Sequence, residues 1–101
     1  MDKQIAAVLI DAAVRELRGR SYPEVCALIG DPQCKEVSGP DGKVYQIEFE
    51  AHWDDPRRSG GNVRVVISID DGTFRAAFHP MTRDFIMASD SAFVGEPENN
   101  G

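Results

Sequence analysis

The chain has 101 residues, 42% apolar and 28% charged, which fits one packed domain and excludes a disordered chain. Lys and Arg number 11 against 17 Asp and Glu, and a net charge of −6 repels a phosphate backbone and an anionic membrane surface. Arg15, Arg18 and Arg20 close one helical pattern and Arg57 and Arg58 sit in a loop, so the cations form no basic patch and nucleic acid is not an expected partner.

Met1 to Lys3 run directly into an amphipathic pattern, so no signal-peptide core is expected, and no run approaches the ~18 apolar residues of a membrane span. From Lys3 to Arg18 the residues Ile5, Val8, Leu9, Ala12 and Ala13, joined by Ile10, Val14 and Leu17, predict a helix with a broad apolar stripe. Gly19 supplies its stop. Ser21 followed by Glu24 reads as a capping box with Pro23 in the first turn, and predicts a second helix over Tyr22 to Ile29 that ends at Gly30.

The period then changes to two. Gly39-Pro40-Asp41-Gly42 marks a turn between a short strand, Lys35 to Ser38, and a long one, Lys43 to Asp54. In the long strand Tyr45, Ile47, Phe49, Ala51 and Trp53 alternate with Gln46, Glu48, Glu50, His52 and Asp54, the pattern of a sheet wet on one side. Asp55 to Gly61 is a loop, and Asn62 to Asp70 alternates again. Asp71-Gly72 then predicts a two-residue hairpin that sets Ile69 opposite Phe74, Ile67 opposite Ala76 and Val65 opposite Phe78. Pro80 closes that strand, Asp84 to Ala88 is one more strand or packed extended piece, and Phe93-Val94 returns at an edge. Residues 1–94 are expected to form a single domain, with 95–101 a flexible tail.

The expected fold is α+β, two N-terminal helices packed on one face of an antiparallel meander of four to five strands. The second face then carries rows: His52, Arg64 and His79; Glu50, Val66 and Ala77; Glu48, Ser68 and Arg75. Glu48 pairs with Arg75 and Glu50 with Arg64 in this arrangement.

Several kinds of chemistry fit these residues poorly. His52 and His79 flank a cation and lie two strands, ~9.6 Å, apart, too far to share a metal ion comfortably. Glu48 and Glu50, ~7 Å apart along the strand, lack the cleft that raises the pKa of a catalytic acid. Ser68 lies roughly 13 Å from the row of His52, beyond a Ser-His pair. Cys26 and Cys34 read as packing residues and reduced thiols. Asp41-Gly42 and Asp71-Gly72 are explained by hairpin geometry rather than by calcium. No cofactor or metal is implied.

Tyr45-Gln46-Ile47-Glu48-Phe49-Glu50, Ile69-Asp70-Asp71-Gly72 and the stretch from Asp84-Phe85-Ile86 to Phe93-Val94-Gly95-Glu96 resemble a family of small uncharacterised bacterial proteins. The resemblance implies a bacterial, cytoplasmic setting and brings no activity or site residue with it.

The expected function is therefore a non-enzymatic protein-interaction domain, adaptor-like or immunity-like. Its partner face is Glu48, Glu50, His52, Arg64, Arg75 and His79, and a possible binding loop is formed by Trp53, Asp55, Arg57 and Arg58. The alternative is a small-molecule-binding domain or small enzyme with a pocket between helices and sheet, lined by Trp53, Tyr45 and Tyr22. A third arrangement is a homodimer closed through Val66 and Ala77 on the second face.

Overall fold

The computed structural model describes residues 2–72 and 81–96. Asp2 caps the first helix, α1 (Lys3–Arg18), its carboxylate accepting from the amides of Gln4 and Ile5 at 3.0 and 3.1 Å. Such a cap contributes about 1 kcal/mol. The buried line is Ala6, Ile10, Ala13 and Leu17, flanked by Ile5, Leu9 and Val14. Val8 and Ala12, expected in the stripe, face outward, and Val8 is 67% exposed. The apolar stripe is wider than the face the sheet can cover, and the small Ala6 and Ala13 lie at its centre.

The second helix, α2 (Tyr22–Cys26), starts with the capping box: the Ser21 amide donates to Glu24 at 3.0 Å and the Ser21 hydroxyl accepts from the Glu24 amide. It ends earlier than expected, because Leu28 and Ile29 bond back three residues to Val25 and Cys26. Such tighter turns commonly finish a short helix. Gly30, at φ 74°, then turns the chain away, a conformation glycine adopts without steric cost.

The strands are β1 (Gln33–Ser38), β2 (Val44–Trp53), β3 (Val63–Asp70) and β4 (Met81–Met87), in one antiparallel sheet of order β1-β2-β3-β4. Tyr45, Ile47, Phe49 and Ala51 are buried and alternate with exposed Gln46, Glu48, Glu50 and His52. Trp53 stands opposite Val63 and Phe49 opposite Ile67, the register that the alternation predicts across the 54–62 loop. The β1–β2 turn is closed by Gly39 N–H donating to the Lys43 carbonyl at 2.8 Å, with Gly42 left-handed at φ 78°. Gly39 is also required by packing. A Cβ there would lie 2.8 Å from the Tyr45 ring and 3.2 Å from Ile5.

The partner of β3 differs from expectation. Ile69, Ile67 and Val65 stand opposite Met81, Arg83 and Phe85, not Phe74, Ala76 and Phe78. With β2 on its other side, β3 has both edges occupied, so the two-residue hairpin register is not formed. Phe74, Ala76 and Phe78 lie outside the described residues. A turn signal acts only on its neighbours, whereas strand choice is decided by what the side chains reach. Phe85 and Met87 bury on the helix face, and the Phe85 ring meets Phe93 edge-on at 5.8 Å.

The helix α1 crosses the sheet from the β1–β2 turn, where Ile5 lies over Gly39, to β4, where Arg18 lies over Phe85 and Phe93. Arg83 on β4 donates to Asp11 of α1 at 3.2 Å. The C-terminal end of the far edge of β4 is engaged by a bridge from Met87 to Phe93 and by the Val94 amide donating to the Ile86 carbonyl. In contrast, β1 is exposed along nearly its whole length. The two helices thus cover β2, β3 and β4 and leave β1 projecting.

Candidate functional site

The alternation that buries one side of the sheet puts Cys34, Glu36, Glu48, Glu50, His52, Arg64, Val66, Ser68, Asp70, Thr82, Asp84 and Ile86 on the other. Its rows run Cys34–Glu48–Ser68–Thr82, Glu50–Val66–Asp84 and His52–Arg64–Ile86. Thr82, Asp84 and Ile86 therefore stand where Arg75, Ala77 and His79 were expected, a direct result of the changed partner of β3. Arg75 and His79 lie outside the described residues.

Arg64 is the one arginine of this face among the described residues, and it is already engaged. Its Nη2 and Nε reach Asp54 Oδ1 at 3.2 and 3.3 Å, and its Nη1 pairs with Asp84. The expected Glu50–Arg64 pair is not formed, because Asp54 at the end of β2 and Asp84 on β4 grip the guanidinium from two sides. Glu36, Glu48 and Glu50 form no ion pair with a described residue, and all are exposed. Among the described residues the face is acidic rather than the balanced ladder the sequence suggests.

The alternation of 62–70 sets Asp70 on this face, but sequence reasoning does not assign Glu36 and Asp84 to it. A period-two count back from the Gly39 turn places Glu36 there; Asp84 required the pairing of β4. Cys34 also belongs to it, exposed opposite Glu48 and not packed inside; Cys26 is half-buried, and both thiols are free.

The loop residues are held by their own loop. The Asp55 carboxylate accepts from the Arg57 amide at 3.0 Å and from its guanidinium at 3.2 Å, and these bonds hold its pKa below the ordinary carboxylate value. Arg57 is largely exposed, Arg58 is exposed, and Trp53 packs against the edge of the core. The Asp54 amide donates to the Asn62 carbonyl at 2.8 Å and closes the loop.

The aromatic pocket does not assemble. Tyr45 and Trp53 are eight residues apart on one strand, roughly 27 Å at ~3.4 Å per residue. Tyr45 is fully buried, its hydroxyl donating to Asp41 at 3.0 Å, and burial followed by this bond raises its pKa. The Tyr22 hydroxyl donates to the Gly61 carbonyl at 2.6 Å. Both hydroxyls are thus taken up by hydrogen bonds within the fold.

A further cleft of about 190 Å³ lies at the other end of the helix layer, lined by Gln4, Ile5, Val8, Leu9 and Pro40. It is apolar and carries no titratable group. Among the described residues no group of His, Cys, Asp and Glu could hold a metal ion, and no helix is long and apolar enough to cross a membrane. Comparison of the chain with known protein families, with characterised proteins and with solved structures yields no match.

Proposed function

We propose that this chain is a non-enzymatic interaction domain, adaptor-like or immunity-like, whose uncovered sheet face receives a cationic surface of a partner protein. The observation that carries the reading is the charge of that face: it bears Glu36, Glu48, Glu50 and Asp70, and Arg64, its one arginine among the described residues, is already paired with Asp54 and Asp84. A set of acidic side chains on an open sheet suits long-range attraction of a cationic surface. Glu48 and Glu50 are both exposed, which speaks against hydrolysis, and the separation of Tyr45 from Trp53 speaks against the aromatic pocket.

Affinity capture with the immobilised chain tests this, provided each captured protein is then titrated against the wild type and a Glu36→Gln, Glu48→Gln, Glu50→Gln variant. The partner is expected to lose about 10- to 100-fold in affinity to the variant, at roughly 0.5–1 kcal/mol per exposed charge. Wild-type binding should also weaken as salt approaches 0.15 M, where the Debye length is ~8 Å. A partner that binds both proteins equally at every salt concentration overturns the reading.

A further inference from the structure

The two edges of the sheet are treated differently. The C-terminal end of the β4 edge, at Ile86 and Met87, is occupied by Val94 and Phe93, and the chain beyond is fastened by Glu96 to Arg18 at 2.6 and 2.8 Å. Nothing among the described residues covers the edge of β1.

Which β1 groups are free follows from the ladder. The Gly39 amide bonds to Lys43, and hydrogen-bonded pairs alternate in an antiparallel sheet, so Val37, Lys35 and Gln33 direct their backbone groups to Tyr45, Ile47 and Phe49. The N–H and C=O groups of Cys34, Glu36 and Ser38 therefore point outward, unpaired among the described residues. Their side chains lie on the acidic face, beside Glu48. On the opposite face, α1 leaves the apolar cleft of Ile5, Val8, Leu9 and Pro40 at the end of β1, with Val8 exposed.

The geometry points to β1 as a strand-addition site for an extended, cationic segment of the partner, basic residues alternating with apolar ones. A strand laid antiparallel on β1 would set its first, third and fifth residues opposite Ser38, Glu36 and Cys34, on the acidic face, where Lys or Arg is favoured. Its second residue would stand opposite Val37, on the face that carries the apolar cleft.

A second copy of the chain fits less well. The two-fold register that uses all the outward groups pairs Cys34 with Ser38 and sets Glu36 directly against its own copy, while joining two acidic faces edge to edge. Like charges directly opposite are destabilising.

This inference rests on the reading of the acidic face as the seat of a cationic partner, so its test separates the two. The probes are a fluorescein-labelled heptapeptide of alternating Lys and Val, Lys at both ends, and an isomer with four Lys followed by three Val. Anisotropy titrations use the wild type, Glu36→Pro, Glu36→Gln and the triple Gln variant. Glu36→Pro removes an outward N–H without touching the ladder to β2, a substitution edge strands accept, and Glu36→Gln removes the charge alone.

The alternating peptide is expected to bind at least about tenfold more tightly than its isomer, and Glu36→Pro to cost at least about tenfold more than Glu36→Gln, the equivalent of one or two backbone hydrogen bonds. Binding should also slow amide exchange at Cys34, Glu36 and Ser38. That readout uses the unaltered chain and decides the matter should the proline variant not fold. If the two peptides bind alike, weaken equally with the triple Gln variant and protect no β1 amide, strand addition is overturned while the acidic seat stands. If neither peptide binds, both are overturned.

Discussion

Arg18 ties α1 to the C-terminal segment, and replacing it with alanine dissects how that segment is held. Its guanidinium makes a bidentate pair with Glu96 at 2.6 and 2.8 Å, lies 3.8 Å from the centre of the Phe93 ring and 5.7 Å from that of Phe85. The two partners are 31% and 38% exposed, so solvent screening limits the ion pair to about 0.5–1 kcal/mol. The contact with Phe93 adds about 0.5–1 kcal/mol.

Arg18→Ala should therefore destabilise the fold by about 1–2 kcal/mol, lowering Tm by roughly 5–15 °C. Glu96→Gln should cost only the ion pair, and urea unfolding of both single variants and the double variant should return a coupling of about 0.5 kcal/mol. Exchange at the Val94 amide, which bonds to Ile86, should accelerate in Arg18→Ala before exchange in β2 does.

The pH dependence has a definite sign. The Arg18 hydrogen bonds hold the Glu96 pKa below its ordinary value of 4.5, so the pair contributes fully above that pH. Its contribution declines as pH falls through the lower folded-state value and is gone below it. A coupling under about 0.2 kcal/mol with Val94 exchange unchanged would refute this account of the clamp.

Other substitutions test other parts of the packing. Leu17→Ala, at a fully buried site between α1 and the sheet, should cost about 3–4 kcal/mol by urea unfolding. Gly39→Ala should cost about 1–3 kcal/mol, because the new methyl group meets Asp41, Tyr45 and Ile5; near-UV circular dichroism of Tyr45 should change with it. Val8→Lys should leave stability within about 0.5 kcal/mol, since that side chain is 67% exposed despite its place in the apolar pattern.

Much of the fold is legible in the residues. The alternation from Tyr45 to Trp53 and from Val63 to Ile69 fixes two strands and their register, and Ser21 with Glu24 fixes the start of α2. Misreading began at Asp71-Gly72. A hairpin dipeptide reports only local backbone preference, and two downstream segments could have supplied the next strand. The choice went to Met81–Met87, whose Phe85 and Met87 reach the α1 side of the sheet while Asp84 reaches Arg64 on the other.

The candidate site inherits that displacement. Glu48, Glu50 and His52 lie where periodicity placed them, but the partners of Arg64 depended on which strand came next, and the acidity of the face followed. The Arg18–Glu96 pair spans 78 residues and has no signature in sequence at all. The free edge of β1, by contrast, follows from topology: the first strand of a meander has a neighbour on one side only.

The diagonal course of α1 across the sheet also sets an order of assembly. The meander joins each strand to the one before it, so its pairings can zip progressively from the β1–β2 turn. The helix, made before the sheet on the ribosome, has its seat divided among β2, β3 and β4. Its seat is complete only once the chain past Phe85 has emerged, and its contacts with β4 span most of the chain, the kind of contact that slows folding. A nascent chain halted before β4 holds an unseated amphipathic helix, the species most exposed to chaperones and to aggregation.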